Sequence, residues 1–381
     1  MPHPVVPHRR TTAAARAALA VAALVLTALV AACSPAVDAA GGETGDGRSA
    51  TAVPALADVA PLADPRGWDG PVSVRLPDPA LDPVDDPRPS LPARVTDAQG
   101  DEVVVTDVSR ILALDIYGTL AHTVFELGLG DRVVGRDVSA QFPEAADLPL
   151  VTQGGHELSA EAILALDPTV VLTDSSLGPY DVLLQLEDAG IPVVFTDSRR
   201  GIDNIASLTQ EVADALGVPA AGRELGARLE QEARATVDEV ADVAPQDLAG
   251  RLRTVFLYVR GQAGVYYMFG EGSGADELIT AAGGYDVAEE IGWDGMQPVT
   301  DEALVEAAPD VLLMMDEGLE SVGGVDGLLE RFPALANTPA GEHRRVVSMD
   351  DDVVLSFGPR TADVVGALAV ALYAPDALSA G

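Results

Sequence analysis

The sequence predicts an α/β fold of two doubly wound lobes joined by a single long α-helix. Three observations predict it. First, the chain contains a repeat: Leu158 to Leu172 reads L-S-A-E-A-I-L-A-L-D-P-T-V-V-L, and Val299 to Leu313 reads V-T-D-E-A-L-V-E-A-A-P-D-V-L-L. Setting Ser159 on Thr300 brings Glu161 onto Glu302 and Pro168 onto Pro309. Each copy reads as a loop, a Ser/Thr N-cap with an acid in the first turn, a short apolar-faced helix, a proline stop and a β-branched strand. Second, short apolar runs alternate with amphipathic stretches around both copies, the pattern of a mostly parallel sheet covered on both faces. Third, Pro219 to Val243 carries charges throughout and no internal proline, so it predicts one helix roughly 37 Å long between the two copies. Such a helix is a stiff connector.

At the front, His8-Arg9-Arg10 and Arg16 form a positive region, and Ala17 to Val30 is an apolar stretch of signal-peptide length. It ends in Val30-Ala31-Ala32-Cys33, small residues before the only cysteine of the chain. This looks like a bacterial lipobox, with residues 1–32 removed and Cys33 lipidated. Residues 33–92 are rich in Pro, Asp, Gly and Ala without sustained periodicity, and they read as a flexible acidic tether. Trp68 is the one residue there suited to docking on a surface.

The N-terminal lobe is expected over 93–218. Arg94 to Thr106 alternates around Ala98-Gln99-Gly100-Asp101, a hairpin signal. Ile111 to Asp115 reads as a strand, Gly118 to Leu127 as a helix stopped by Gly128, and Val133 to Gly135 as a short strand. After the repeat helix come strand Val170 to Thr173, helix Tyr180 to Ala189, strand Val193 to Thr196 and helix Ile202 to Leu216. Beyond the 219–243 connector, the C-terminal lobe (244–381) opens with strands Thr254 to Tyr258 and Val265 to Phe269. Helix Gly274 to Ala282 follows, stopped by Gly283-Gly284. The second repeat copy, strand Val346 to Ser348 and helix Thr361 to Leu372 close it.

Composition narrows the function. The formal charge of -37, with no lysine at all, rules against nucleic acid and against a polybasic membrane patch. A single cysteine allows no intramolecular disulfide. No G-x-S-x-G elbow, H-E-x-x-H or P-loop is present, so no enzyme class is indicated.

Ligands of open parallel sheets gather beyond the carboxyl ends of the strands. Tyr258 stands at such an end, and Arg260, two positions on, shares its face. A cation beside a phenol favours the phenolate, and tyrosinate is a ligand for ferric haem iron. Of the three histidines beyond the signal, His122 falls in a predicted helix and His343 in a charged loop. His156 alone sits in a glycine-flanked loop open to close approach. A histidine from the facing lobe would complete a six-coordinate iron.

Together the lipobox, the hairpin leading into I-L-A-L-D, the stretch Q-G-G-H-E-L-S-A-E-A-I-L-A-L-D-P and F-L-Y-V-R-G-Q-A-G-V-Y-Y-M-F-G resemble the hemin-binding lipoproteins of the HmuT type. Those are substrate receptors of haem-importing ABC transporters. The resemblance covers roughly 93–373 and implies a helical-backbone substrate-binding protein holding ferric haem b as its transported ligand. It implies His156 and Tyr258 as axial ligands and Arg260 as support for the tyrosine. It also implies a permease dimer with its ATPase as partner, docked through Glu161 and Glu302, and a lipid anchor at Cys33 on the outer face of the cytoplasmic membrane. Arg199 and Arg200 are candidates for the haem propionates. The alternatives are a receptor of the same fold for ferric siderophore or cobalamin, and a haem carrier or sensor outside transport. A zinc or manganese receptor using His122, His156 and His343 is a further alternative.

Overall fold

The computed structural model describes residues 53–378 apart from Pro79. The signal stretch and Cys33 lie outside the described residues. The N-terminal lobe is built on three parallel strands, Ile111–Leu114, Val170–Thr173 and Val193–Phe195, with the middle of these in the centre. All their side chains are buried, as both faces of the sheet are covered. Helix Thr119–Val124 and helix Ile205–Ala215 pack one face, and helices Ala160–Ala165 and Tyr180–Asp188 the other. The expected hairpin forms from Ala93–Thr96 and Glu102–Val105, and Asp97 closes its turn by accepting from the amides of Gln99 and Asp101, each at 3.0 Å. The expected strand at Val133 is reduced to one bridge onto Ile111, because the chain then turns away and Arg136 bridges Leu150 instead.

The C-terminal lobe carries a larger sheet in the order Val72–Val74, Val346–Met349, Val311–Met315, Arg253–Arg260, Val265–Phe269, Met296–Pro298. Its first four strands are parallel; Val265–Phe269 pairs antiparallel with Arg253–Arg260, and Met296–Pro298 antiparallel with Val265–Phe269. The switch follows from the chain: only four residues join Arg260 to Val265, far too few for a parallel crossover, and Gly264 at φ 68° makes the turn.

The connector helix spans Pro219–Val243. Its first half belongs to one lobe and its second half to the other: Leu225, Leu229 and Ala233 lie in the N-terminal core, Val240 in the C-terminal core. Gly226 lets it approach helix Ile205–Ala215, since a Cβ there would stand 3.1 Å from the Ala206 backbone. Gly366 faces Thr236 on the side of the closing helix Thr361–Tyr373.

One expectation is overturned. Residues 53–92 are a strap bound to both lobes, not a free tether. Leu56 and Val74 are buried in the C-terminal core, Trp68 packs against it, and Val72–Val74 adds the outermost parallel strand. Arg345, fully buried, reaches the carbonyls of Pro65 and Leu372, and Arg66 pairs with Asp310 at 2.9 Å. The strap then crosses to the other lobe, where the Val84 amide donates to Glu126 O and the Ser90 amide to Gly217 O, both at 2.8 Å. Its sequence has no periodicity because only a few of its side chains are apolar anchors; its backbone bonds do the rest. The lobes are therefore joined by two covalent crossings, the connector helix and this strap.

Candidate functional site

The strand Arg253–Arg260 sorts its side chains by alternation. Val255, Leu257 and Val259 enter the core on one face, and Phe256, Tyr258 and Arg260 line up on the other. Phe256 is buried, while Tyr258 and Arg260 are half-buried, so the row emerges from the core toward the cleft. The Tyr258 ring stacks on Phe269 at 6.0 Å between centroids, which fixes its plane. The Arg260 guanidinium carbon also lies over this ring, 4.5 Å from its centroid. Cation and ring attract through the ring quadrupole. The same guanidinium donates to Asp351 Oδ2 at 2.5 Å and to Val259 O at 2.9 Å. Burial raises the Asp351 pKa, against the lowering effect of Arg260.

His156 stands on the other lobe, at the tip of a hairpin formed by Thr152–Gln153 and Glu157–Leu158. Gly154 at φ 55° and Gly155 at φ 96° make the left-handed turn, and no atom lies within 4 Å of where a Gly155 Cβ would be. The glycine is thus required by backbone conformation, and the loop tip is left open to a ligand. His156 is exposed, yet its pKa is lowered, first by desolvation and then by the charge of Arg260. Two consequences follow. Its imidazole is neutral at neutral pH, the form that binds a metal. And the arginine beside Tyr258 acts electrostatically on the histidine of the facing lobe.

The other candidates are placed differently. Arg200 is unavailable to a propionate: its side chain is 1% exposed, bonded to Asp115 at 3.2 Å and Asp174 at 2.5 Å, and stacked on Tyr117 at 5.0 Å. Arg199 is exposed and paired with Asp197 at 2.8 Å. His122 is buried against Phe142 at 4.8 Å, and burial drives its pKa down to about 3. It borders a cavity of about 100 Å³ between the lobes, with Tyr117 on its own side and Asp350, Phe357 and Arg360 on the other. His343 bonds Asp69 of the strap at 2.8 Å. The three histidines are therefore not gathered, and among the described residues no group of three or more His, Cys, Asp or Glu could hold a metal ion.

Glu161 and Glu302 are both exposed in the first turns of their helices. Ser159 and Thr300 cap those helices in the same way, accepting from Ala162 N at 3.3 Å and Ala303 N at 3.1 Å. Leu164 and Val305, which also correspond in the repeat, are 43% and 51% exposed beside them. Sequence reasoning missed Asp351, one of three consecutive aspartates beyond strand Val346–Met349. Its place at the carboxyl end of a parallel strand was the available signal.

A family model described as periplasmic binding protein matches residues 116–353. The crystal structure of heme binding protein HmuT is 42% identical with a TM-score of 0.77, covering 82% of this chain and 100% of that one. Structures of its variants replace by alanine a tyrosine, the arginine two residues after it, and a histidine roughly a hundred residues earlier. The periplasmic heme-binding protein RhuT from Roseiflexus sp. RS-1 is 39% identical with a TM-score of 0.63, covering 71% of this chain and 100% of that one. An uncharacterized ABC transporter substrate-binding lipoprotein, YvrC of Bacillus subtilis (strain 168), is 26% identical over 290 residues, 75% of this chain and 87% of its own.

Proposed function

Because the chain belongs to the periplasmic binding protein family, and within it to the HmuT type, whose members are transport receptors and not enzymes, we propose that it takes ferric haem b into the cleft between its lobes. Tyr258 and His156 bind the iron from opposite sides, and Arg260 supports the tyrosine as phenolate. The loaded receptor delivers haem to the permease dimer of an ABC transporter with its ATPase, docking through Glu161 and Glu302. A lipid on Cys33 holds it at the outer face of the cytoplasmic membrane.

The observation that carries this reading is the pair of facing groups tied by one charge: Arg260 lies on the Tyr258 ring and also depresses the pKa of His156 across the cleft. A phenol oxygen that gives up its proton to iron and a neutral imidazole, on opposite lobes, would be a complementary axial pair for ferric iron. The Tyr-x-Arg spacing, with a histidine roughly a hundred residues ahead, agrees with the residues replaced in the heme-binding relative.

The test is a hemin titration of the purified protein followed by its optical spectrum, with cobalamin and a ferric siderophore as comparison ligands. The expected result is a Soret band with tyrosinate-to-iron features, altered in His156→Ala and largely lost in Tyr258→Ala. A protein that takes up no hemin at micromolar concentration refutes the reading, and preferential uptake of either comparison ligand replaces it.

A further inference from the structure

Resting on the haem reading above, we infer that Asp351 is a positioning residue of the tyrosine side of the site: its carboxylate holds the Arg260 guanidinium over Tyr258. Arg260 is the last residue of its strand, where a long side chain with many rotamers would otherwise sweep the cleft. Three contacts restrain it. Nη2 donates to Asp351 Oδ2 at 2.5 Å and lies 3.7 Å from Met315 Sδ, while Nη1 donates to Val259 O at 2.9 Å. All lie around the edge of a planar fork. Bonds along that edge leave its face free, and its carbon stands over the ring, 4.5 Å from the centroid.

Of the three, only the Asp351 contact is both charged and contributed by a distant part of the chain. Asp351 is itself fixed: its other oxygen accepts from the Glu317 amide at 3.0 Å, in the first turn of helix Asp316–Ser321. That helix leaves the room the arginine needs at Gly318, where a Cβ would stand 3.2 Å from Nη1 and 2.8 Å from Val259 O. One carboxylate thus joins the start of a helix to the arginine, one oxygen for each. Asp351 reaches the haem site only through Arg260.

The claim is tested by a double-mutant cycle on the full chain loaded with hemin. Two quantities are read: the rate of haem transfer to an excess of apomyoglobin, and the strength of the tyrosinate-to-iron band. Asp351→Ala should speed haem loss up to about fivefold, no more than Arg260→Ala itself, and weaken the band, while in an Arg260→Ala background it should add less than about twofold. Asp351→Asn, nearly isosteric and still an acceptor, should fall between wild type and Asp351→Ala, and it carries the same test if the alanine variant does not fold. Equal effects in both backgrounds would show that Asp351 serves helix Asp316–Ser321 alone, and an unchanged rate in the wild-type background would equally overturn the role. Wild-type protein that takes up no hemin overturns the haem reading itself, a result distinct from hemin held normally without coupling between Asp351 and Arg260.

Discussion

Arg260 works in two directions, lying over the ring of Tyr258 on its own lobe and adding to the desolvation that lowers the His156 pKa on the other. Replacing it by alanine removes a cation–π contact worth about 1 kcal/mol at a partly exposed site, together with the counter-charge of a phenolate. Arg260→Ala should therefore lose haem at least roughly five times faster while its thermal midpoint moves by no more than a few degrees. Stopped-flow haem transfer alongside a thermal melt checks both, and unchanged retention removes the electrostatic role. At this scale the sequence was informative where a residue's neighbours lie next to it. Tyr258 and Arg260 share a face because strands alternate, and His156 was singled out by its flanking glycines. It misled at Arg200, which is charged in sequence but locked between Asp115 and Asp174, residues 85 and 26 positions away. Nothing local announces a partner that the fold brings from such a distance.

At the level of elements, the repeat yields two equivalent capped helices, each presenting an exposed glutamate and an exposed aliphatic side chain. The local role of Glu161 and Glu302 is to complement the helix dipole, worth about 0.3–1 kcal/mol each. The proposed role is to set one docking register on a two-fold partner, where exposed pairs are individually weak but act at a fixed spacing. Charge reversal at both, Glu161→Arg with Glu302→Arg, should leave hemin binding intact and abolish growth on hemin as the iron source. Wild-type uptake would leave the glutamates only their own helices to serve. Elements with a long period were readable: the connector helix begins at Pro219 and ends at Val243, as its pattern of charges and its lack of internal proline imply. Short ones were not. Helices Asp316–Ser321 and Gly324–Arg331 contain or adjoin glycines that mask their period, and the strap strand Val72–Val74 is three residues long. Its place in the sheet is decided by Val347 and Met349, far along the chain.

The whole molecule carries a formal charge of -37 and several acids held in its interior. Burial raises Asp137 to about 7 and Asp115, Asp286 and Asp350 to about 6. Each binds its proton more tightly folded than unfolded, where the pKa is about 3.9, so its contribution is full below that value and lost as pH rises through 6 to 7. His122 acts oppositely: held neutral by burial with a pKa of about 3, it costs stability as pH falls below the unfolded histidine value of about 6.5. The melting temperature should therefore rise by a few degrees from pH 8 to about 6 and go on rising toward about pH 4, because four acids gain stability there against one histidine that loses it. Melts at constant, high ionic strength separate this from relief of surface repulsion. Asp137→Asn should flatten the rise, and a midpoint that falls steadily from pH 8 to 6 contradicts the account.

The strap also sets how far the receptor can wander. Val53 lies 20 residues beyond Cys33, whereas Ala93, where a free tether would have ended, lies 60 beyond it. With the proposed lipid at Cys33, the leash cannot exceed about 70 Å, against about 200 Å for the longer segment. One molecule confined to the smaller half-sphere has a local concentration on the order of 2 mM at the membrane, against roughly 0.1 mM for the larger. With that proposed anchor, binding forty residues to the protein's own surface would exchange search volume for frequency of encounter with anything embedded beneath it.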